Sequence, residues 1–154
     1  MIAEGERVPD FELRDEDSEP FTQADLEGQT SVLVFYPFAF SPVCTDQLNL
    51  YEEMLDRFEE QGATLYAIST DSTWAQKAFK EKLGVSIAQL SDFEPKGEVS
   101  RAFGAYFEPD GMTNCALVIV GFDGVVRWSH LADSPGDLPG VGLIFDGLAA
   151  SPVS

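Results

Sequence analysis

Two short apolar runs constrain the fold more than any other feature of this chain. Ser31-Val32-Leu33-Val34-Phe35-Tyr36 is β-branched and aromatic, has no polar alternation and is closed by Pro37. It is predicted as a central strand buried on both faces. Ala63-Thr64-Leu65-Tyr66-Ala67-Ile68-Ser69 is predicted as a second buried strand. Between them, from Cys44 onward, Leu48, Tyr51, Leu55 and Phe58 recur at steps of three and four. That spacing gives a helix with one apolar face, which Gly62 is suited to end. Strand, helix and strand together make one βαβ crossover, and its first strand-to-helix junction falls on Pro37 to Cys44.

The later chain continues the alternation. Asp71 or Ser72 can cap a helix whose period is set by Trp74, Ala78, Phe79 and Lys82 or Leu83, with Gly84 at its end. A short strand is expected around Ile87 to Leu90, then a short helix from Gly97 to Phe103. Ala116 to Val120 and Val125 to Trp128 flank Asp123-Gly124, a dipeptide that favours a tight hairpin. Leu143 to Ala150 is a closing helix. Phe11 to Phe21, interrupted by Asp15-Glu16-Asp17, suggests an added N-terminal hairpin. This order is a thioredoxin-like α/β arrangement: a central mixed sheet flanked by helices, with an N-terminal β-hairpin extension. Without repeat or linker, residues 1–154 are expected to form a single domain.

The formal charge of −18 arises from 27 acidic residues against 9 Lys and Arg, spread along the chain. Binding to nucleic acid needs clustered cations, so it is not expected. Docking on an anionic membrane is disfavoured for the same reason. The acidity reads as a solvated surface of the kind common in high-salt cytoplasms. No run of about 18 apolar residues is present, and Met1 to Glu6 has neither the basic nor the apolar segment of a signal peptide. The expected location is the cytoplasm.

Two cysteines, Cys44 and Cys115, lie far apart in sequence, and only His130 could join them around a metal. Neither a disulfide framework nor a metal site is therefore expected. Cys44 falls in the first turn of the predicted helix, where unpaired backbone N–H groups and the positive end of the helix dipole favour thiolate over thiol. It is the expected nucleophile. Three residues earlier, the Ser41 hydroxyl can donate to a thiolate or accept from a peroxide O–H; its plainer role is to cap the helix. Pro37 fixes the turn and helps keep bulk water from the sulfur. Phe38, Phe40 and Trp74 either pack in the core or line a pocket or a dimer contact.

The run Tyr36-Pro37-Phe38-Ala39-Phe40-Ser41-Pro42-Val43-Cys44-Thr45 resembles the active-site motif of peroxiredoxins, Pro-x-x-x-Thr/Ser-x-x-Cys, through Pro37, Ser41 and Cys44. Val8-Pro9-Asp10-Phe11-Glu12-Leu13, Ile68-Ser69-Thr70-Asp71-Ser72 and Leu90-Ser91-Asp92-Phe93 extend the resemblance. So do Gly97, Val99, Tyr106 and Asp123-Gly124, closest to the AhpE-like branch. Only the last 25 residues match nothing in it. The resemblance implies thiol-dependent reduction of hydrogen peroxide or organic hydroperoxides through a sulfenic acid on Cys44, without cofactor. It further implies a thioredoxin- or glutaredoxin-like reductant or a small thiol, and a homodimer formed near Phe38, Phe40 and Trp74. Gln47 stands where the family usually has Glu, and Asn49 where one branch has its resolving cysteine.

One departure matters chemically. Cys115 occupies the place of a family arginine that lowers the thiolate pKa and holds the peroxide oxygens, a kind of electrostatic contribution worth roughly 2.7 to 4 kcal/mol per donor in other enzymes. Three readings of Cys115 stand open: an ordinary buried strand residue, a resolving thiol for Cys44, or the mark of a weakened site. Arg101 and Arg127 are expected on an exposed helix face and beyond the hairpin, away from it. The alternative to a peroxidase is then a weak or inactive relative acting as redox sensor or interaction module. A disulfide oxidoreductase is disfavoured, because no Cys-x-x-Cys is present.

Overall fold

The computed structural model describes residues 1–133 and 141–150; for Pro42, Val43 and Cys44 it describes the backbone alone. In chain order these residues form β1 (Glu12–Asp15), β2 (Pro20–Thr22), β3 (Thr30–Phe35), α1 (Pro42–Glu53), α2 (Leu55–Glu60), β4 (Ala63–Ser69), α3 (Thr73–Leu83) and β5 (Ala88–Ser91). There follow α4 (Glu98–Phe103), β6 (Tyr106–Phe107), β7 (Met112–Thr113), β8 (Ala116–Val120), β9 (Val126–Leu131) and α5 (Val141–Ala150).

Seven strands make the main sheet, in the order β2-β1-β5-β4-β3-β8-β9. The predicted crossover is present: β3 pairs parallel with β4 from Thr30↔Ala63 to Phe35↔Ile68, and β4 pairs parallel with β5. On the other side β3 pairs antiparallel with β8, from Ser31↔Val120 to Phe35↔Ala116. Side chains alternate between two apolar layers. Val32, Val34 and Tyr36 face Leu48 and Tyr51 of α1, Phe58 of α2, Phe79 of α3 and Ile144 of α5. Leu33 and Phe35 face the opposite layer, with Val99 and Phe103 of α4 and the N-terminal Val8, Phe11 and Leu13. Burial on both faces is why β3 carries no polar alternation.

The long helix expected from Cys44 to Gly62 begins earlier, at Pro42, and is broken at Met54. There the Met54 N–H bonds the Tyr51 carbonyl, three residues back, and the four-residue ladder is interrupted. Tyr51 and Phe58 remain buried on either side, so the apolar face runs through the break. The choice of cap for α3 is resolved: the Ser72 hydroxyl accepts the Ala75 N–H, and Gly84 ends the helix in the left-handed conformation. The N-terminal hairpin is more than an appendage, because β1 extends the main sheet antiparallel to β5. Its acidic turn is anchored by the Glu16 carboxylate, which accepts from Lys80 Nζ and from the Gln89 N–H. The small β6–β7 ladder carries no pattern in two-residue strands and was not expected.

Residues 2–7 lie along the start of β9. Gly5 N–H donates to the Val126 carbonyl, Val126 N–H to that of Glu6, and the Ser129 hydroxyl to that of Ile2. No helix among the described residues is long and apolar enough to cross a membrane.

Gly147 on α5 has no room for a side chain, since a Cβ there would stand 2.6 Å from the Trp128 ring and 2.8 Å from Ile119 Cδ1. An alanine at an ordinary helix position is worth about 1 kcal/mol over glycine, whereas overpacking a core costs about 1 to 3 kcal/mol. Gly147→Ala is therefore expected to cost up to about 2 kcal/mol net and to lower the melting temperature by up to roughly 8 °C for a domain of this size, measured by thermal unfolding. Burial pushes the Glu16 carboxyl up, but the bonds from Lys80 and the backbone, with the Lys80 charge, bring it below the ordinary value of 4.5. A carboxyl lowered on folding stabilises above its unfolded pKa, and the contribution is lost as pH falls through the folded one. Glu16→Gln should thus cost roughly 1 to 2 kcal/mol at neutral pH, with the gap to the parent closing below pH 4.5 in denaturant titrations.

Candidate active site

β3 and β4 end side by side, and each releases a loop at the same edge of the sheet. Beyond Phe35, Tyr36 is still buried: its N–H donates to the Ile68 carbonyl, and its hydroxyl donates to Gln89 Oε1 at 2.7 Å. Pro37 is buried behind it and turns the chain out of the sheet. Phe40 adopts φ 70°, a left-handed conformation that is unfavourable for a residue with a Cβ. Its ring rests on that of Phe79 in α3, 5.1 Å between centroids. Ser41 is half-buried at the helix entry, and its carbonyl accepts the first α-helical bond, from the Thr45 N–H at 3.0 Å. The backbone of Cys44 lies in that first turn; its sulfur lies outside the described atoms, as does any geometry between it and Cys115.

Cys115 follows from the register. Phe35 pairs with Ala116, so Cys115 stands one step on, opposite Tyr36, at the end of β8 nearest the loop. Its side chain faces the α1 layer, with Val34, Tyr36, Leu48 and Tyr51, at 0% exposure. The strand thus presents this residue beneath the loop and the start of α1.

A polar cluster not singled out by motif completes the junction. Asp71 Oδ2 accepts the Ala39 N–H at 2.7 Å and the Ser69 hydroxyl at 2.7 Å. Ser69 Oγ in turn accepts from Gln76 Nε2 at 2.9 Å, and Gln76 Nε2 also donates to the Leu90 carbonyl. Ser69 and Gln76 are fully buried. The sequence signal was present but ambiguous, since Asp71 and Ser72 are both adequate caps and only the fold shows which one is released from that task.

The profile of the AhpC/TSA family matches residues 5–129. Alkyl hydroperoxide reductase E of Mycobacterium tuberculosis is 33% identical over 151 residues, covering 97% of this chain and 98% of that protein. The chain belongs to the AhpC/TSA family. As a peroxiredoxin of AhpE-like type it is also 31% identical to peroxiredoxin Bcp of Escherichia coli, over 87% of this chain and 81% of that one. Among solved structures, Enterococcus faecalis AhpC superimposes with a TM-score of 0.88 at 27% identity, covering 97% and 92% of the two chains. Peroxidoxin BcpB of M. tuberculosis gives 0.83 at 27%, covering 97% and 96%. These neighbours share the thioredoxin fold expected from the order of elements. The family profile stops at residue 129, but the likeness to the mycobacterial protein continues through the C-terminal segment that the sequence alone left unplaced.

Set against the peroxiredoxin pattern, the two arginines expected away from the junction are indeed engaged elsewhere. Arg101 pairs with Glu108 at 2.9 Å and lies over the Tyr106 ring; Arg127 pairs with Asp123 at 2.9 Å beside the β8–β9 turn, at the far end of β8. Gln47 is half-buried on α1, and its Oε1 is enclosed without a hydrogen-bond partner among the described residues. A glutamate there would bury a charge, which the amide avoids.

The enclosure of Cys115 has a direct chemical consequence. Alkylation requires the reagent to reach the sulfur, so Cys115 is expected to stay unmodified by iodoacetamide in the native protein and to react fully in denaturant. Peptide mass mapping under both conditions checks this, and rapid native labelling at Cys115 would refute it.

Proposed function

We propose that this peroxiredoxin reduces hydrogen peroxide or organic hydroperoxides with Cys44 as the attacking residue. What carries the reading is the placement of Cys44 in the first turn of α1, directly behind the end of the buried central strand, with Ser41 at the helix entry and Pro37 buried. Amides at a helix start have no intrahelical acceptor and stabilise an anion. Pro42 has no N–H to offer, so the free amides of that first turn come from Val43 and Cys44. The thiolate attacks the terminal peroxide oxygen: an S–O bond forms, the O–O bond breaks, and the departing alkoxide or hydroxide takes a proton to leave as alcohol or water. In this reading the Ser41 hydroxyl donates to the sulfur or to the peroxide, and Pro37 helps keep water from the site.

The sulfenic acid is then condensed with a thiol to a disulfide with loss of water, and a second thiol restores Cys44. Asn49 removes one internal source of that thiol, so the reductant is a thioredoxin- or glutaredoxin-like protein or a small thiol. Such a partner is available in the cytoplasm, where we place the protein. Phe38, Phe40 (49% exposed) and Trp74 (81% exposed) present apolar surface around the loop and the start of α3. That exposure supports a homodimer through this edge.

A second reading rests on Cys115. The arginine that the family resemblance places there is missing, and Arg101 and Arg127 are engaged elsewhere. The site then oxidises slowly and acts as a sensor or interaction module rather than by turnover.

Cys44→Ser should abolish peroxide consumption by micromolar protein with excess thiol, and Ser41→Ala should slow Cys44 oxidation more than tenfold with the fold retained, because that hydroxyl acts mainly in the transition state. Intact mass after one equivalent of peroxide reads the product: one added oxygen marks the sulfenic acid and a loss of two hydrogens a disulfide. Oxidation of Cys44 without turnover supports the sensor; no change in mass defeats both readings.

A further inference from the structure

We propose that Asp71, oriented by Ser69, is a positioning residue for the reaction at Cys44: its carboxylate holds the Ala39 N–H, and thereby sets the loop that delivers Ser41 and the first turn of α1. The inference rests on the reading of Cys44 given above.

The geometry leaves this aspartate few other tasks. Directly after β4, an aspartate would ordinarily cap the helix that follows, but the Ser72 hydroxyl already accepts the Ala75 N–H of α3. Asp71 turns instead across to the neighbouring loop, which is close because β3 and β4 stay paired up to Phe35 and Ile68. It meets the Ala39 N–H with a charged acceptor, the stronger type of hydrogen bond. The carboxylate is itself fixed. Ser69 Oγ donates to the same oxygen, Gln76 holds Ser69, and the Ser91 hydroxyl donates to the Asp71 carbonyl. Orientation is thus relayed from the floor of the sheet to a single amide of the loop.

The loop needs such a hold. Phe40, next to Ala39, sits at φ 70°, a conformation that persists in a residue with a Cβ only where its surroundings enforce it. Besides the Ser41 N–H to Phe38 carbonyl bond that closes the turn around it, two contacts from outside the loop do so: Asp71 on the Ala39 amide, and the Phe79 ring against the Phe40 ring. Both come from the segment made by the end of β4 and α3. One residue past Phe40 is Ser41, whose carbonyl starts the helix. If the Ala39 amide is released, Phe40 can relax to an ordinary conformation, and Ser41 and the first turn of α1 lose their fixed orientation.

The experiment compares the parent, Asp71→Ala, Asp71→Asn and Ser69→Ala for the second-order rate of Cys44 oxidation by hydrogen peroxide and for the pH midpoint of Cys44 alkylation, with circular dichroism to check folding. Asp71→Ala should oxidise at least tenfold more slowly, with its alkylation midpoint moved to higher pH. Asp71→Asn, which keeps an acceptor for the Ala39 N–H, should return to within about threefold of the parent. The direction of the midpoint is diagnostic, because removing a negative charge that acted only through space would favour the thiolate and move it down. A merely structural role would lower the melting temperature and leave the midpoint in place. A folded Asp71→Ala that oxidises at the parental rate, or whose midpoint is unmoved or falls, overturns the proposal. If Asp71→Ala does not fold, Ser69→Ala decides: oxidation at least threefold slower with an upward midpoint supports the relay, and parental behaviour overturns it. Cys44→Ser in the same assay keeps the two ideas apart, because peroxide consumption that survives it refutes the role of Cys44 whatever Asp71 does.

Discussion

The pairing of β3 with β4 on one side and β8 on the other fixes nearly everything that matters in this molecule. Once Phe35 is set against both Ile68 and Ala116, three chain segments are obliged to leave or enter the sheet at one edge. The loop to α1, the turn to α3 and the approach of Cys115 are those segments. A slip of one residue in either ladder would exchange the two apolar layers and turn Cys115 away from α1, so the register is held by every buried side chain along the strand.

The interior and the surface answer to different pressures. Inside, the layers are almost wholly apolar, and several of the buried polar groups are joined in short chains such as Tyr36 to Gln89 and Gln76 through Ser69 to Asp71. Asp92 is a further case. Burial raises its carboxyl above the ordinary value, while bonds from the Ser100 and Val99 amides act against that rise. Outside, the charge of −18 leaves few cations to go round. Several of them are spent on local ion pairs, Lys80 with Glu16, Arg101 with Glu108 and Arg127 with Asp123. Exposed pairs of this kind contribute little individually; the half-buried Lys80–Glu16 pair is better placed, because it pins a turn to the sheet.

Much of this was legible in the sequence for identifiable reasons. Strands buried on both faces show as unbroken apolar runs, so Ser31 to Tyr36 and Ala63 to Ser69 located the centre of the sheet to within a residue. Glycines at helix ends and Asp123-Gly124 at the hairpin marked boundaries, because they answer to backbone conformation rather than to tertiary context. The break at Met54 was invisible, since an apolar periodicity does not register a local tightening of the ladder. So was the docking of β1 against β5, a long-range pairing of short strands with no local signature. The role of Asp71 was hidden in another way: its residue type announced a cap, and which of two adjacent caps is used depends on a neighbour over thirty positions away. Cys44 and Ser41 were found by spacing, and Cys115 by its departure from a pattern, but only the register shows that Cys115 lies in the layer that α1 covers.

An open β-sheet has two exposed borders, and each is a template on which another chain can add a strand. At one border β2 is three residues long and begins with Pro20, which has no N–H to offer a newcomer. At the other, β9 is longer, and residues 2–7 lie along its start. Gly5 N–H donates to the Val126 carbonyl and Val126 N–H to that of Glu6, so both backbone groups of Val126 that a second molecule would otherwise seek are occupied, and the Ser129 hydroxyl ties down the Ile2 carbonyl. Residues 2–6 thus cover the start of that border, and a strand added there would first have to displace them.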